Sequence, residues 1–292
     1  MAGQTFLIFA TPTKTAPTTF TIGSGTTTPL ATDTAMEAPI PFSGEVLIDS
    51  CDVTTGWAAS TDAIAPTVDS TTFKEGTGSL NLGKSGVASV DYFYTKTIGS
   101  TDLTNKFLYI WAYFDTLADI AKLKTNAAGG LRLYLSSDGF AANFTGYNVG
   151  GSDTFLVGFN LAFVDLSKPG DDIVGSLDLS AVTQIRYHGM TNLVGDLITL
   201  GDAKMDFWRS ATEADTVKTF LSGFPTQDEP GRKITIRGVV AFTEANGHTV
   251  SEIGMKNTDS TRILHSRDVI TTQNKSSTVR LIIVQVDQNT PC

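Results

Sequence analysis

An all-β fold is what this 292-residue chain predicts, on three observations. Charged residues make up only 17% of it, below the roughly 25% of an average soluble domain. Thr, Ser and Gly carry the surface instead, and β-branched Thr fits a pleated strand. Many short segments alternate in polarity with turn residues between them, the pattern of a β-sandwich. No helical pattern follows each strand in turn, which excludes a parallel α/β sheet. With 41% apolar residues, the chain has the material for a large core.

Residues 1–45 read as extended and rich in Thr, Pro and Gly. Residues 46–214 read as one β-rich domain, and 215–292 as β again. In the middle stretch "FLYIWAYFD" (107–115) is apolar on both alternating faces, which puts it in the middle of a sandwich or under a loop. "TLADIAKLKTNAAGG" (116–130) has helical spacing at Leu117, Ile120, Ala121 and Lys124, and its Gly pair ends a short helix. "LRLYLSS" (131–137) turns Leu131, Leu133 and Leu135 inward and Arg132 and Tyr134 outward. "FLVGFNLAFVDL" (155–166), "VTQIRYHGM" (182–190) and "KMDFWRS" (204–210) are further strands. In the last stretch "RKITIRGVVAF" alternates Ile234 and Ile236 against Lys233, Thr235 and Arg237, and "RLIIVQV" (280–286) is a late strand. Between them "VVAFTEANGHTVSEIGMKN" (239–257) reads as a hairpin turning at Ala245–His248. It carries Glu244 and Glu252 on facing arms, Asn246 in the turn, and Gly254 where a bulge or another backbone comes close. These four residues are the candidate assembly contact. The alternatives for the carboxylates are the N–H groups of the 23–28 loop, or a solvated edge that discourages stray strand pairing.

Net charge is −9 and the basic residues are scattered, so no stripe suits nucleic acid. The N-terminal apolar patch Phe6–Ala10 is shorter than a secretory core and lacks basic residues before it, and no stretch approaches the roughly 20 residues of a span. The expectation is a protein made in the cytoplasm, without a signal peptide and without membrane insertion. Cys51 and Cys292 show no metal spacing and read as free thiols. Neither His188, His248 nor His265 sits in a zinc motif. No G-x-S-x-G elbow occurs, and "GSGTTT" lacks the ending of a phosphate loop. Asp165, Asp171, Asp172 and Asp178 cluster in a loop without defining an acid and a base. The reading is therefore non-enzymatic, with no cofactor.

"TIGSGTTTPLATDTAMEAPI" (21–40) resembles a segment of tailed-bacteriophage virion proteins of the tail-fibre, collar and baseplate kind. "ITIRGVVAFTEANGHTVSEIGMKN" (234–257) resembles the segment that pairs with it, and "RILHSRDV" (262–269) and "NKSSTVRLIIVQV" (274–286) resemble the closing strands. The two halves lie about 190 residues apart, as an insertion would leave them. "LIDSCDVTTGWAASTDAIAPTVDSTTFKEGTGSLNL" (47–82) resembles the opening of a galactose-binding-like, carbohydrate-binding-module-like jelly roll. "SLDLSAVTQIRYH" (176–188) and "KMDFWRS" resemble its later strands.

Together these resemblances imply a jelly-roll sandwich (46–214) inserted into a smaller β domain built from 1–45 and 215–292. They imply a structural protein of a tail, baseplate or fibre, with other virion proteins as partners, assembled as a homo-oligomer (trimer or ring). A capsid decoration protein is the alternative, and a secreted carbohydrate-binding module or glycan-active enzyme a further one. For the jelly roll they imply a host-glycan platform, for which Tyr134, Phe144, Tyr147 and Tyr187 are the candidates, though Phe140, Phe144 and Tyr147 equally suit the end of a core. They also imply a structural calcium at Asp49, the Lys74–Gly78 turn and Asp206, whose alternative role is capping strand ends.

Overall fold

The computed structural model describes residues 18–30, 36, 38–223, 226–228, 233–256, 264–276 and 278–288. Its strands, in chain order, are β1 (Thr19–Gly23), β2 (Pro39–Ile40), β3 (Val46–Asp49), β4 (Trp57–Ala59), β5 (Thr67–Asp69), β6 (Ser79–Lys84), β7 (Asp91–Thr101) and β8 (Lys106–Phe114). The helix α1 (Leu117–Lys122) follows, then β9 (Leu131–Ser136), β10 (Phe144–Gly150), β11 (Gly158–Asp165), β12 (Asp172–Val174), β13 (Val182–Met190) and β14 (Ile198–Thr212). The last are β15 (Lys218–Thr219), β16 (Thr226–Asp228), β17 (Lys233–Val240), β18 (Thr249–Lys256), β19 (Leu264–Asn274) and β20 (Leu281–Gln288). The fold is all-β. The chain divides into two compact units, residues 46–211 and residues 1–45 with 212–292.

The middle unit is a jelly-roll sandwich of two six-stranded sheets. One runs β12-β10-β9-β13-β7-β4; the other runs β11-β8-β14-β6-β5, with β3 added on β14. Leu133, Leu135, Ile185 and Tyr187 from the first sheet meet Leu80, Leu82, Ile110, Phe114 and Met205 from the second in one core. Burial of such side chains is worth roughly 1.5–3 kcal/mol each. Strand β8 keeps Leu108, Ile110, Ala112 and Phe114 on the core side, and its opposite face is covered too. Trp111 is buried with its indole N–H on Glu75 Oε1 at 2.9 Å and the Lys74 ammonium 4.8 Å from the ring centre. That strand therefore lies under the Lys74–Glu75 turn, which explains its two apolar faces.

Helix α1 is shorter than the 116–130 pattern suggests. Thr116 caps it, accepting from the Asp119 N–H, and Ile120 points into the core. The expected inward Leu117 is exposed instead, because only one and a half turns form before Leu123 returns to extended backbone.

The other unit has its own core. Strand β1 pairs antiparallel with β18, Gly23 opposite Glu252 and Thr19 opposite Lys256. Strand β17 pairs with β20 in a separate sheet. Phe20, Ile22, Ile40, Phe42, Phe220, Ile236, Val240, Val250, Met255 and Ile283 fill the space. The 239–257 segment is thus not a hairpin. Its two strands belong to different sheets, and residues 241–248 cross between them, with Ala245 at φ +50°.

This crossing gives the four residues of the candidate assembly contact roles inside their own unit. Glu244 accepts the Ala241 N–H at 2.7 Å and pairs with Lys218, so it closes the crossing itself. Asn246 bonds the Phe242 carbonyl and the Lys275 ammonium. Glu252 is fully buried and accepts the Ala38 N–H at 3.0 Å. Gly254 sits mid-sheet between Thr21 and Arg267. The three polar side chains thus bond within their own unit; Glu252 is buried, while Glu244 and Asn246 stay half-exposed. The 23–28 loop is met by the neighbouring Ser251, whose hydroxyl donates to Gly25 O at 2.9 Å.

Gly238 shows how tightly this core is set. A Cβ there would lie 2.5 Å from the Phe20 ring, and that ring is fixed edge-on to Phe42 at 5.3 Å and stacked on Phe220 at 6.4 Å. Gly238→Ala is expected to destabilise this unit by roughly 1–3 kcal/mol, the usual effect of overpacking. Calorimetry of the full chain checks it; an unchanged profile would show that Phe20 can shift.

Candidate functional site

Register alone decides which residues share the outer face of the β12-β10-β9-β13-β7-β4 sheet. Residues directly opposite in an antiparallel ladder lie on the same face. One row runs Asp172, Gly146, Tyr134, Arg186, Thr95, and the next runs Asn148, Arg132, His188, Phe93. The intervening row, Tyr147, Leu133, Tyr187, Tyr94, points the other way into the core.

Two of the four aromatic glycan candidates are corrected by that row. Tyr187 is completely buried and Tyr147 nearly so, because each stands opposite Leu133. A third, Tyr134, is on the outer face but is a strut rather than a platform. It is only 4% exposed, it stacks on His188 at 5.2 Å, and its hydroxyl donates to Asp172 Oδ2 at 2.5 Å. Burial first, and then the bond to Asp172, push its phenol up to about 12. Phe144 alone of the four is half-exposed.

The half-exposed surface is carried by residues that sequence reading did not select. Phe140 stands against Phe144 at 5.6 Å. The Arg186 guanidinium lies over Phe140 at 3.6 Å and over Phe93 at 4.3 Å, with its Nε–H on Thr95 Oγ1 at 2.9 Å. His188 Nε2 is 3.0 Å from Asp91 Oδ1, and Arg132 Nε donates to Asn148 Oδ1 at 2.7 Å. The His188 bond holds the Asp91 carboxyl below the ordinary range. The readable signal was the alternation in "VTQIRYHGM", which separates Gln184, Arg186 and His188 from Ile185 and Tyr187.

Phe140 is held in place by its loop. Its φ is +63°, a conformation rare for a bulky side chain. Ser136 Oγ accepts the Phe140 N–H at 2.8 Å, and Asp138 accepts the Ala141 and Ala142 N–H groups. Strained backbone of this kind gathers where a side chain must be presented. Gly146 is the second device. A Cβ there would come within 2.5 Å of the Tyr134 ring, so the absent side chain lets Tyr134 lie across β10 and reach Asp172. Gly146→Ala is expected to push Tyr134 off Asp172 and lower the phenol pKa toward its ordinary value. A spectrophotometric tyrosine titration checks this; an unchanged high-pH transition would show that the ring does not depend on Gly146.

The proposed calcium ligands are engaged in other ways. Asp49 forms an ion pair with Lys96, and its Oδ1 accepts from the Cys51 N–H and the Trp57 indole N–H. Asp206 Oδ2 accepts the Lys74 and Glu75 N–H groups at 2.7 and 3.0 Å. Its Oδ1 is buried without a partner. Among the described residues no three His, Cys, Asp or Glu side chains are placed to hold a metal ion. An ammonium already neutralises Asp49, and N–H donors fill one oxygen of Asp206, so this pair does not fit a cage of six to eight oxygens. Cys51 is a buried free thiol, pushed well up by burial and then by Asp49 and Asp206. Cys292 and the side chain of His265 lie outside the described residues. No helix among the described residues is long and apolar enough to cross a membrane.

No protein-family model matches the chain, and no curated protein matches it. Solved structures do. A family 11 carbohydrate-binding module of a Clostridium thermocellum cellulosomal cellulase is 13% identical, with 58% of this chain and 95% of that one covered and a TM-score of 0.40. An exo-β-agarase is 13% identical over 59% of this chain and 25% of that one, with a TM-score of 0.40. A family 61 module in complex with β-1,4-galactotriose is 9% identical over 56% and 92%, with a TM-score of 0.30. At these values the functional reading rests on the side chains of the sheet, not on the likenesses.

Proposed function

We propose that the chain is a non-enzymatic glycan-binding structural protein, with the binding surface on the outer face of the β12-β10-β9-β13-β7-β4 sheet. The observation that carries this is the combination on one face of half-exposed rings (Phe93, Phe140, Phe144) with side chains fixed by their own hydrogen bonds (Arg132, Asn148, Asp91, His188). Sugars offer apolar C–H faces to rings and hydroxyls to such polar groups, and a surface ordered before binding loses little entropy when occupied. Incubating the full chain with a glycan array tests the reading: retention of a defined subset is expected, and retention of none contradicts it.

The unit built from both chain ends is, in this proposal, the part that docks on a tailed-phage tail, baseplate or fibre alongside other virion proteins. The support is the sequence resemblance at 21–40 and 234–257, together with the pairing of Thr21, Ile22 and Gly23 from the first segment with Gly254, Ile253 and Glu252 from the second. Closed symmetric assembly is the rule for homo-oligomers, so light scattering of the full chain is expected to give a trimer or ring. A monomer at micromolar concentration would remove that part of the proposal. A capsid decoration protein remains the other virion position that the same resemblance serves.

A further inference from the structure

We propose that Arg186 reads a carboxylate on the bound sugar, so that the ligand is an acidic glycan built from uronic or sialic acid residues. This rests on the glycan-binding reading of the same face and makes it specific.

The inference starts from a mismatch. Arg132 on this face has its own acid, 3.3 Å from Asp172 Oδ2, and the neighbouring Asp91 is already taken by His188, whose Nε2 lies 3.0 Å from Asp91 Oδ1. Arg186 is in the centre of the sheet, between Tyr134 and Thr95 in the register, and has none. Its Nε–H is spent on Thr95. Its two terminal nitrogens take no hydrogen-bond partner among the described residues, and they are not among the buried unsatisfied atoms. Burial lowers its pKa to about 10, with only the Tyr134 phenol opposing. A half-buried positive charge without a counter-charge is unusual, since buried charges are normally paired.

The geometry says what would pair with it. The guanidinium lies over the Phe93 and Phe140 rings, 4.3 and 3.6 Å from their centres, so stacking holds the plane and leaves the edge with the terminal nitrogens free. That edge is a planar fork that matches a carboxylate through two parallel N–H···O bonds. The surrounding rings would hold the sugar ring that bears the carboxylate. The chain as a whole carries −9, so nonspecific attraction of polyanions is not expected, and the local charge must do the selecting.

The test uses the full chain and titration calorimetry with matched pairs: oligogalacturonate against its fully methyl-esterified form, glucuronate- and mannuronate-containing oligomers against glucose and mannose oligomers, and sialyllactose against lactose. The acidic member of at least one pair is expected to bind about ten- to a hundred-fold more tightly, as a charge-assisted bidentate contact allows. The preference should shrink with added salt. Arg186→Met should weaken the acidic member about ten- to a hundred-fold and so close the gap between the two members, with only a smaller loss for the neutral member through the lost stacking on Phe93 and Phe140, and Arg186→Lys should restore part of the gap. Tryptophan fluorescence on melting verifies that both variants fold; should the Met variant not fold, the Lys variant and the salt series still decide. Equal binding of acidic and neutral members, unchanged by Arg186→Met, overturns the acidic-ligand inference and leaves glycan binding standing. Binding to no member of any pair overturns both.

Discussion

Asp206→Asn is expected to flatten the pH dependence of the middle unit's stability and to raise that stability at pH 8. Asp206 is completely buried on β14, with Oδ2 on two N–H groups and Oδ1 unpartnered. Burial is the first cause that pushes its carboxyl up, to about 7; the two N–H bonds oppose it, and the Glu75 and Asp52 carboxylates add to it. The ordinary value is about 3.9. Between about pH 4 and pH 7 the folded chain therefore keeps a proton that the unfolded chain has released. Stability must fall as pH rises through that window, and the full loss is reached above it. Three units correspond to about 4 kcal/mol at most, at about 1.36 kcal/mol per unit, so a loss of about 2–4 kcal/mol is the expected range. Asn keeps an acceptor for Lys74 and Glu75 and carries no charge. Its amide nitrogen takes the place of the orphaned oxygen, at a cost of about 1 kcal/mol, which leaves a net gain at pH 8 and a net loss at pH 4. Trp57, Trp111 and Trp208, the chain's three tryptophans, all lie in this unit. Denaturant titration followed by tryptophan fluorescence therefore reports on it alone. Parallel pH profiles for wild type and variant would show that Asp206 ionises without difficulty.

Phe140 is where function and stability are expected to part. Its ring faces Phe144 and Arg186, but its backbone holds φ at +63°. Phe140→Ala keeps that strain and loses the ring; Phe140→Gly loses both. The Gly variant is expected to be more stable than the Ala variant by about 1 kcal/mol, since only Gly adopts this conformation freely. Both should lose glycan affinity by about five- to thirtyfold, the equivalent of about 1–2 kcal/mol for one stacked ring. Adding Phe144→Ala should lose a further factor of similar size. Calorimetric unfolding and glycan titration on the same preparations separate the two effects. Undiminished affinity in both variants would remove Phe140 from the binding surface.

The strands were legible wherever a single face decides the pattern. "VTQIRYHGM" and "LRLYLSS" alternate because one face is core and the other is not, and their bounds follow. Strand β8 was legible as doubly covered, although the cover, the Lys74–Glu75 turn, was not named. Aromatic type misled. Tyr187 and Tyr147 are platform candidates for their rings, yet Tyr187 alternates in step with Ile185, and the register sets both tyrosines opposite Leu133. Tyr is large enough to bury its ring and leave its polar tip as the only question. The 239–257 segment misled for another reason. Two strands and an Asn-Gly turn have the local signature of a hairpin, but sheet membership is decided by partners far away in sequence, β1 for one strand and β20 for the other. The engagement of Asp49 by Lys96 is equally nonlocal. The left-handed backbone at Phe140 leaves no mark in composition, because Gly139 beside it is the expected carrier of such a φ.

The most direct measurement is amide chemical-shift mapping of the full chain with a glycan retained on the array. The proposal predicts shifts concentrated at Phe93, Phe140, Phe144, Arg186 and His188, on β7, β10, β13 and the loop before β10. It predicts quiet amides at Phe107, Phe159 and Phe163 on the opposite sheet. Shifts gathered on that opposite sheet, or on the unit formed by the chain ends, would contradict it.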